Sequence, residues 1–267
     1  MFDRLTTPSS GTLEVPDGCQ QGRGAFGGFL TAAMIRALEA SAPGRSLRSL
    51  TAELFAPVSV GSATLKLETL RAGNAMTTTS VRLVQNGELC AQAVGVLGIP
   101  RVSDRDQVRL EKPVMKPWRE CEVLAVEPPM GPVFAQHVEF RPTGPWPFSG
   151  AKEPITEGWV RFKQQGPTRD AALLAGIADT YWPALFLIEE APRPMATVAF
   201  TFQPFANFDG LQPGGAASKD GLDPEAPFFI RAKLAAADAG YTVEFREVWG
   251  EDGRLLALNQ QTFVIIK

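Results

Sequence analysis

The sequence has few of the side chains on which most hydrolytic and metal sites depend. Its 267 residues contain one histidine, His137, and three cysteines, Cys19, Cys90 and Cys121. A serine or cysteine nucleophile with a histidine base would have to use His137, and no G-x-S-x-G nucleophile elbow is present. His137 has no obvious partner, so we interpret it as a structural residue of a strand. A hydrolase with this sequence is expected to work without histidine, metal or cofactor.

The cysteines do not have the spacing of a metal site. An odd number of cysteines without such a pattern is typical of free thiols in a reducing compartment. The first 20 residues are polar and interrupted by Pro8 and Pro16, which is not the pattern of a signal peptide. We therefore expect a cytoplasmic protein.

An excess of charge of one sign and a long apolar run are also lacking. The net charge is −3, which gives no electrostatic reason to expect nucleic acid binding. No apolar run approaches the ~20 residues of a membrane span without a charge or a proline inside it. The best candidate, Ala171 to Ile188, contains Asp179 and Pro183. We therefore expect a soluble protein with no membrane span and no nucleic acid partner.

The same order of predicted elements occurs twice along the chain. In the first copy a helix, Phe29 to Ala40, precedes strands at Ser49 to Phe55, Ala63 to Arg71, Met76 to Gln85 and Leu89 to Ile99. In the second copy the helical stretch Ala171 to Ile188 lies among strands at Val133 to Arg141, Gly158 to Lys163, Met195 to Gln203, Phe228 to Ala235, Tyr241 to Trp249 and Leu255 to Ile266. Asn86-Gly87 and Asp252-Gly253 each predict a hairpin at the corresponding place.

Short matches align the two copies. Pro57 matches Pro204 at an offset of 204 − 57 = 147, and Gly87 matches Gly253 at an offset of 253 − 87 = 166. The difference falls on a Gly/Pro/Asp-rich insert, Asn207 to Pro227, which is predicted to be a loop. We divide the chain into a module at 1–115, a linker at 116–132 and a module at 133–267. A long helix followed by antiparallel strands, repeated once, predicts an α+β fold.

Several segments, in this order, resemble the type II (TesB-like) acyl-CoA thioesterases over nearly the whole chain. They are Phe26-Gly27-Gly28, Glu68 to Asn74, Val84 to Gly87, Trp159 to Arg161, Leu174 to Asp179, Met195 to Thr197 and Asp252 to Ala257 with Gln261. The resemblance implies a double hotdog fold, in which each of two modules wraps an antiparallel sheet around a long helix. It also implies an acyl-CoA substrate and assembly into a homo-oligomer.

The resemblance implies three catalytic residues, all in the second half. They are Asp179 on the helix, Thr197 on the next strand and Gln261 on the last strand, which is chosen over Gln260 because it lies four residues after Ala257. The sequence departs from the family pattern in two places. Ala199-Phe200 stand where the family commonly has an Asp-His pair, and Asn259-Gln260 replace smaller residues.

The residues themselves leave other interpretations open. Asp179 is the only charged residue of its apolar helical stretch, where a carboxylate is costly to bury, and Pro183 should bend the helix beside it. Asp179 could instead be the N-cap of a short helix, Thr180 to Ile188. Thr197 could be an ordinary strand threonine, and Gln261 an ordinary hydrogen-bonded strand residue. Overlaid on the first copy, Thr197 and Gln261 match Leu50 and Gly95, so we expect one active site per chain.

Thioester hydrolysis needs an oriented water, a proton acceptor and donors for the oxyanion. Asp179 would accept the proton, while Thr197 and Gln261 would position the water. Backbone N–H groups at the start of the first helix make Gly27 and Gly28 the oxyanion candidates. The pattern G-x-G-x-x-G that ends at Gly27 also suggests a dinucleotide site, but it follows a loop and not an apolar strand.

Three functions therefore remain open at the level of the sequence. The first is an acyl-CoA hydrolase. The second is an acyl-CoA-binding protein of the same fold without catalysis, which the altered Ala199-Phe200 segment suggests. The third is an enoyl-CoA hydratase, which is disfavoured because such enzymes need an Asp/His pair and His137 lies outside the helix.

Overall fold

The structure is a computed structural model that describes residues 2–101, 107–166, 168–205 and 226–266. The insert predicted at Asn207 to Pro227 lies outside the described residues except for its last two. None of the described helices is both long and apolar enough to cross a membrane.

The first half contains one long helix and the strands that curve around it. Its elements are α1 (Phe2–Leu5), β1 (Thr12–Val15), β2 (Gln20–Gln21), β3 (Gly24–Ala25), α2 (Gly27–Ala40), β4 (Ser46–Leu54), β5 (Gly61–Ala72), β6 (Met76–Gln85) and β7 (Glu88–Gly98). Helix α2 ends just before Pro43-Gly44, and its side chains are buried on nearly every side. The predicted hairpin is present, because Asn86 and Gly87 both have positive φ, which a tight two-residue turn requires.

The second half repeats this layout with a shorter helix. Its elements are β8 (Val138–Pro142), β9 (Ile155–Phe162), α3 (Ala171–Ala178), α4 (Leu185–Ile188), β10 (Met195–Pro204), β11 (Phe228–Asp238), β12 (Tyr241–Trp249) and β13 (Leu255–Ile265). Two 3₁₀ helices, Trp118–Glu120 and Val133–His137, precede them.

Eleven of the described strands form one antiparallel sheet in the order β1-β5-β6-β7-β4-β10-β13-β12-β11-β9-β8. Helices α2 and α3 pack against each other and against its inner face, where the main apolar core lies. Strands β4 and β10 pair at the centre and join the two halves into one sheet. This is the double hotdog arrangement, so the expected α+β fold is confirmed.

The strand pairing confirms the repeat but corrects one of its offsets. In the first half Gly95 pairs with Leu50, and in the second half Gln261 pairs with Phe200, which gives an offset of 200 − 50 = 150 between β4 and β10. The expected match of Thr197 to Leu50 was therefore wrong, because 197 − 150 is 47. A β-bulge interrupts both strands at equivalent places, between Leu47 and Ser49 and between Thr197 and Ala199. The apolar Leu47 still offers no group that could orient water.

Two predicted elements differ from the structure. The helical stretch Ala171 to Ile188 is broken, with α3 ending at Ala178 and α4 beginning only at Leu185. Asp179 is the C-cap of α3, so the alternative in which it caps a following helix was wrong. The predicted strand from Val133 begins at Val138, because the segment after Pro132 forms a 3₁₀ helix. His137 lies at the end of that helix and is exposed.

Candidate active site

The break between α3 and α4 leaves backbone groups without hydrogen bonds inside a helix. A buried ion pair provides hydrogen-bond partners for two of them. Pro183 has no N–H, so the helix cannot continue through it. The carbonyl of Ala178 accepts a hydrogen bond from Nη1 of Arg246 at 2.7 Å. The N–H of Ala184 donates to Oε2 of Glu244 at 2.7 Å. Because Arg246 and Glu244 also pair with each other, at 2.5 Å, the two side chains hold both ends of the break.

Asp179 lies at this break and faces the first turn of α2. Its side chain accepts hydrogen bonds from the backbone N–H of Gly28 and from Gln261. Both glycines allow this approach, since a Cβ at Gly27 would lie 2.8 Å from Oδ2 of Asp179, and one at Gly28 would lie 2.9 Å from its Cβ. Residues of both halves therefore surround the carboxylate.

Thr197 and Gln261 are joined to each other by a hydrogen bond. The hydroxyl of Thr197 donates to Oε1 of Gln261 at 3.2 Å, and Nε2 of Gln261 donates to Oδ1 of Asn259 at 2.9 Å. Asn259 in turn donates to the carbonyl of Thr201 at 2.6 Å, which fixes the direction of its amide. The three residues predicted to act together, Asp179, Thr197 and Gln261, are therefore brought together.

The β-bulge in β10 is what brings Thr197 to this place. Side chains alternate between the two faces of a strand, so residues three positions apart normally face opposite sides. The bulge at Val198 adds one residue, and Thr197 then lies on the same inner face as Phe200. Without it, the hydroxyl would point away from Gln261.

The pKa of Asp179 is raised to about 6. Burial is the largest cause, because it disfavours the charged carboxylate. The positive charge of Arg246 and the hydrogen bonds from Gln261 and Gly28 lower the pKa in part, and the negative charge of Glu244 raises it. A carboxyl group with this pKa is ionised at neutral pH and remains basic enough to accept a proton.

A cavity of about 630 Å³ opens beside the carboxylate. Asp179, Thr197 and Arg246 line one part of it, and the rest is mainly apolar. Proline and aromatic side chains form much of this wall, among them Trp182 and Phe186, which the sequence suggested as either tunnel or core residues. Leu185, suggested with them, is buried but does not line the cavity. The volume and the lining suit a largely apolar small molecule.

Two protein-family models together match most of the sequence. Residues 15–98 match the acyl-CoA thioesterase N-terminal domain, and residues 116–265 match the acyl-CoA thioesterase C-terminal domain. The chain belongs to the acyl-CoA thioesterase family. It is therefore a thioester hydrolase, as the sequence predicted. No curated protein is similar enough to the chain to match it.

Solved structures support the fold of this thioesterase. A conserved hotdog protein of unknown function from Alicyclobacillus acidocaldarius is 25% identical, with a TM-score of 0.87 over 100% of this chain and 98% of that chain. A candidate thioesterase II from Thermobifida fusca YX is 20% identical, with a TM-score of 0.81 over 100% and 97%. The acyl-CoA thioesterase II TesB2 of Mycobacterium marinum is 14% identical, with a TM-score of 0.72 over 100% and 98%.

Sequence reasoning missed three polar residues of the candidate site. Glu244 and Arg246 on β12 pair with Gln261 and Asn259 on β13, so the four side chains form a polar patch on the inner face of the sheet. Each of the four is at least 98% buried. The unusual Asn259 had been noted only as a departure from the family pattern. The signal for Glu244 and Arg246 was available, since two opposite charges at alternate positions of a predicted strand share one face.

Not every predicted residue reaches the cavity. His137, Gly27, Gly28 and Gln261 are not among the described residues that line it, and Gln261 is fully buried. The N–H of Gly28 faces Asp179, so it holds the carboxylate. An oxyanion role for Gly27 or Gly28 stays a prediction.

Proposed function

We propose that this thioesterase hydrolyses acyl-CoA to free CoA and a carboxylic acid with a water molecule that Asp179, Thr197 and Gln261 orient. The observation that carries the proposal is the hydrogen-bonded group of these three side chains, of which Asp179 and Thr197 line a mainly apolar cavity and the buried Gln261 bonds to both. The acyl chain would lie in the apolar part, with its thioester carbonyl beside Asp179 and Thr197.

The reaction needs only one proton acceptor. Asp179 takes a proton from the water as the water oxygen forms a bond to the carbonyl carbon, and the carbonyl electron pair moves to oxygen. When this pair returns, the carbon–sulfur bond breaks and CoA leaves as a thiolate. The proton on Asp179 then passes to the sulfur, which restores the carboxylate and balances the reaction.

A free-thiol release assay on acyl-CoA substrates of several chain lengths tests the proposal. We expect Asp179→Asn to lower kcat by about 10²–10⁴-fold, the usual contribution of a general base. The matched control is Asp170→Asn at the other end of α3. Asparagine is as good an N-cap as aspartate and keeps an acceptor for Arg36, which pairs with Asp170 at 3.2 Å. This variant is expected to keep the wild-type kcat, although loss of the ion pair can lower its stability. Full activity in Asp179→Asn, or no turnover of any chain length by the wild type, contradicts the proposal.

One observation favours an acyl-CoA-binding protein without catalysis. Phe200 occupies a buried position opposite Gln261, where the family commonly has a polar residue. Tight binding of acyl-CoA by the wild type without release of thiol would support this alternative. Assembly into a homo-oligomer stays a prediction, which light scattering on the purified chain can test.

A further inference from the structure

We propose that Arg246 is a catalytic residue of this reaction, whose guanidinium group donates a hydrogen bond to the thioester carbonyl oxygen and stabilises the oxyanion. This rests on the proposed function, since it assigns a second role at the same site. It identifies the donor that the Asp179, Thr197 and Gln261 group does not supply.

Arg246 lies near Asp179, since its positive charge lowers the pKa of that carboxyl group. It lines the same cavity as Asp179 and Thr197, although it is 1% exposed. The other described cation on the cavity wall is Arg193, whose side chain is 53% exposed and pairs with Glu189. A charge in a buried site is screened less by water than one at the surface, so Arg246 acts more strongly on a developing charge.

The guanidinium group is fixed in place but not fully used. Nε donates to Glu244 at 2.5 Å and Nη1 donates to the carbonyl of Ala178 at 2.7 Å. Nη2 has no hydrogen-bond partner in the part of the chain that the structure describes, and it is not one of the buried atoms left without a partner. We infer that Nη2 faces the cavity. A donor held by two other hydrogen bonds of the same planar group needs little reorganisation during the reaction.

The charges of the site suit this role. Before the reaction, the ionised Asp179 and Glu244 stand against the single positive charge of Arg246. When Asp179 takes the proton from water, one negative charge moves from its carboxylate to the carbonyl oxygen. Arg246 then attracts the negative oxygen in place of Asp179, so its electrostatic stabilisation is kept when the charge moves. Gly28 is less suited, because its N–H is already directed to Asp179.

Arg246 also holds the end of α3, so the test must separate catalysis from structure. Removing one partner of a buried ion pair leaves an unpaired charge and strongly destabilises the fold. The double variant Glu244→Gln/Arg246→Gln removes both charges and avoids this cost, and Arg246→Lys keeps the charge but loses the fork of donors. The matched control is Arg231→Gln/Glu247→Gln, which neutralises a second buried ion pair of the same sheet, held at 2.6 Å. Neither residue of that pair lines the cavity.

The test combines kinetics with a spectroscopic measurement. We expect the double variant and Arg246→Lys to lower kcat by about 10²–10³-fold with little change in KM, as loss of an oxyanion donor does. The second readout uses an acyl-CoA analogue in which a CH₂ group separates sulfur from an isotope-labelled ketone, so that no thioester can be hydrolysed. Bound to the wild type and to the control variant, its carbonyl stretch should shift to lower frequency. The shift should be lost in the Arg246 variants.

The two proposals can fail separately. An unshifted carbonyl in the wild type, or a kcat near the wild-type value in both Arg246 variants, overturns the role of Arg246. Asp179→Asn should keep the carbonyl shift while losing turnover, because it leaves the donor in place. If Asp179→Asn instead hydrolyses acyl-CoA normally, the water-orienting group is wrong, and the carbonyl measurement still decides whether Arg246 contacts the substrate.

Discussion

The backbone N–H of Gly28, in the first turn of α2, donates to the carboxylate of Asp179 at the end of α3. The two residues belong to different halves of the repeat, and the packing of α2 against α3 brings them together. Thr51 and Thr201, equivalent at the offset of 150, pair directly where β4 meets β10, so the approximate two-fold axis of the repeat passes between them. The first half therefore contributes to the candidate site through its helix, although the three proposed catalytic side chains all lie in the second half.

This contact makes the glycine itself important. In Gly28→Ala the new Cβ would lie 2.9 Å from Cβ of Asp179 and would also collide with the ring of Phe26, so α2 and α3 would have to separate. We expect a loss of about 1–3 kcal/mol in the free energy of unfolding, typical of overpacking, together with reduced kcat. The control is Gly98→Ala, whose Cβ would meet its neighbours at 3.5 Å, an ordinary contact. Denaturant titration and the thiol assay measure the two effects, and equal stability of the two variants would contradict the prediction.

The pH dependence of the reaction should report the pKa of Asp179. Below about pH 6 the carboxyl group is protonated and cannot accept a proton from water, so kcat/KM should fall as the pH is lowered through that value. Above it the carboxylate persists and the rate should reach a plateau. A pH series with one acyl-CoA substrate checks this, and an acidic limb centred near the ordinary value of 3.8 would show that burial does not control the group.

Gln261→Leu should move this limb to higher pH. The hydrogen bond from Gln261 stabilises the ionised carboxylate and lowers the pKa of Asp179. Without this bond, the effect of burial raises the pKa further. The plateau rate should also fall, because Thr197 loses its partner. Gln260→Leu is the matched control, since the same substitution one residue earlier is made on the opposite face of β13. If the two variants have the same pH profile, Gln261 does not act on Asp179.

The positions of the strands could be predicted from the sequence far better than which face of each strand is buried. Apolar and polar residues alternate from Tyr241 to Glu244 and on to Phe245, so Val243 and Phe245 would be expected to face the core. The structure instead buries Glu244 and Arg246 and leaves Phe245 52% exposed. A strand that lines a functional site can bury its polar face. Hydrophobic alternation alone then predicts the wrong face of the strand to be buried.

The proposed catalytic group could be predicted from the sequence only through the resemblance to a family. Thr197 and Gln261 lie 64 positions apart, and no local pattern connects them. The bulge at Val198 that turns Thr197 inward leaves no mark in the composition of β10. Asp179 is the exception, because a lone carboxylate in an apolar stretch four residues before a proline marks a helix break by itself. The stretch itself does not predict the length of the break, since Glu244 and Arg246, which bond to its two ends, lie 60 and 68 residues from their partners.

Thr197→Val tests whether the threonine acts through its hydroxyl. The substitution nearly conserves volume and removes the hydrogen bond to Gln261. The hydroxyl then no longer orients the Gln261 amide or the proposed water. We expect a fall in kcat of about 10–100-fold, the cost of a lost hydrogen bond of about 1–3 kcal/mol in a buried site. Thr197→Ser should recover most of the rate because it keeps the hydroxyl. Thr201→Val on the same strand is the control. Equal rates for the valine and serine variants would mean that only the shape of the residue matters.

Asp179→Asn should make the protein more stable while it removes activity. The pKa of Asp179 is about 6 in the folded chain and near 3.8 in the unfolded chain, so between these values the folded state binds more protons. The free energy of unfolding therefore falls as the pH rises through this window, and the ionised carboxylate costs about 3 kcal/mol at neutral pH.

Asparagine carries no charge and should recover about 1–3 kcal/mol of this at pH 7. Below about pH 4 the wild-type carboxyl is itself neutral, so the advantage should disappear. Denaturant titrations of both proteins across this range measure the difference. A gain independent of pH would mean that it comes from something other than the buried charge, because only ionisation makes the two side chains differ with pH.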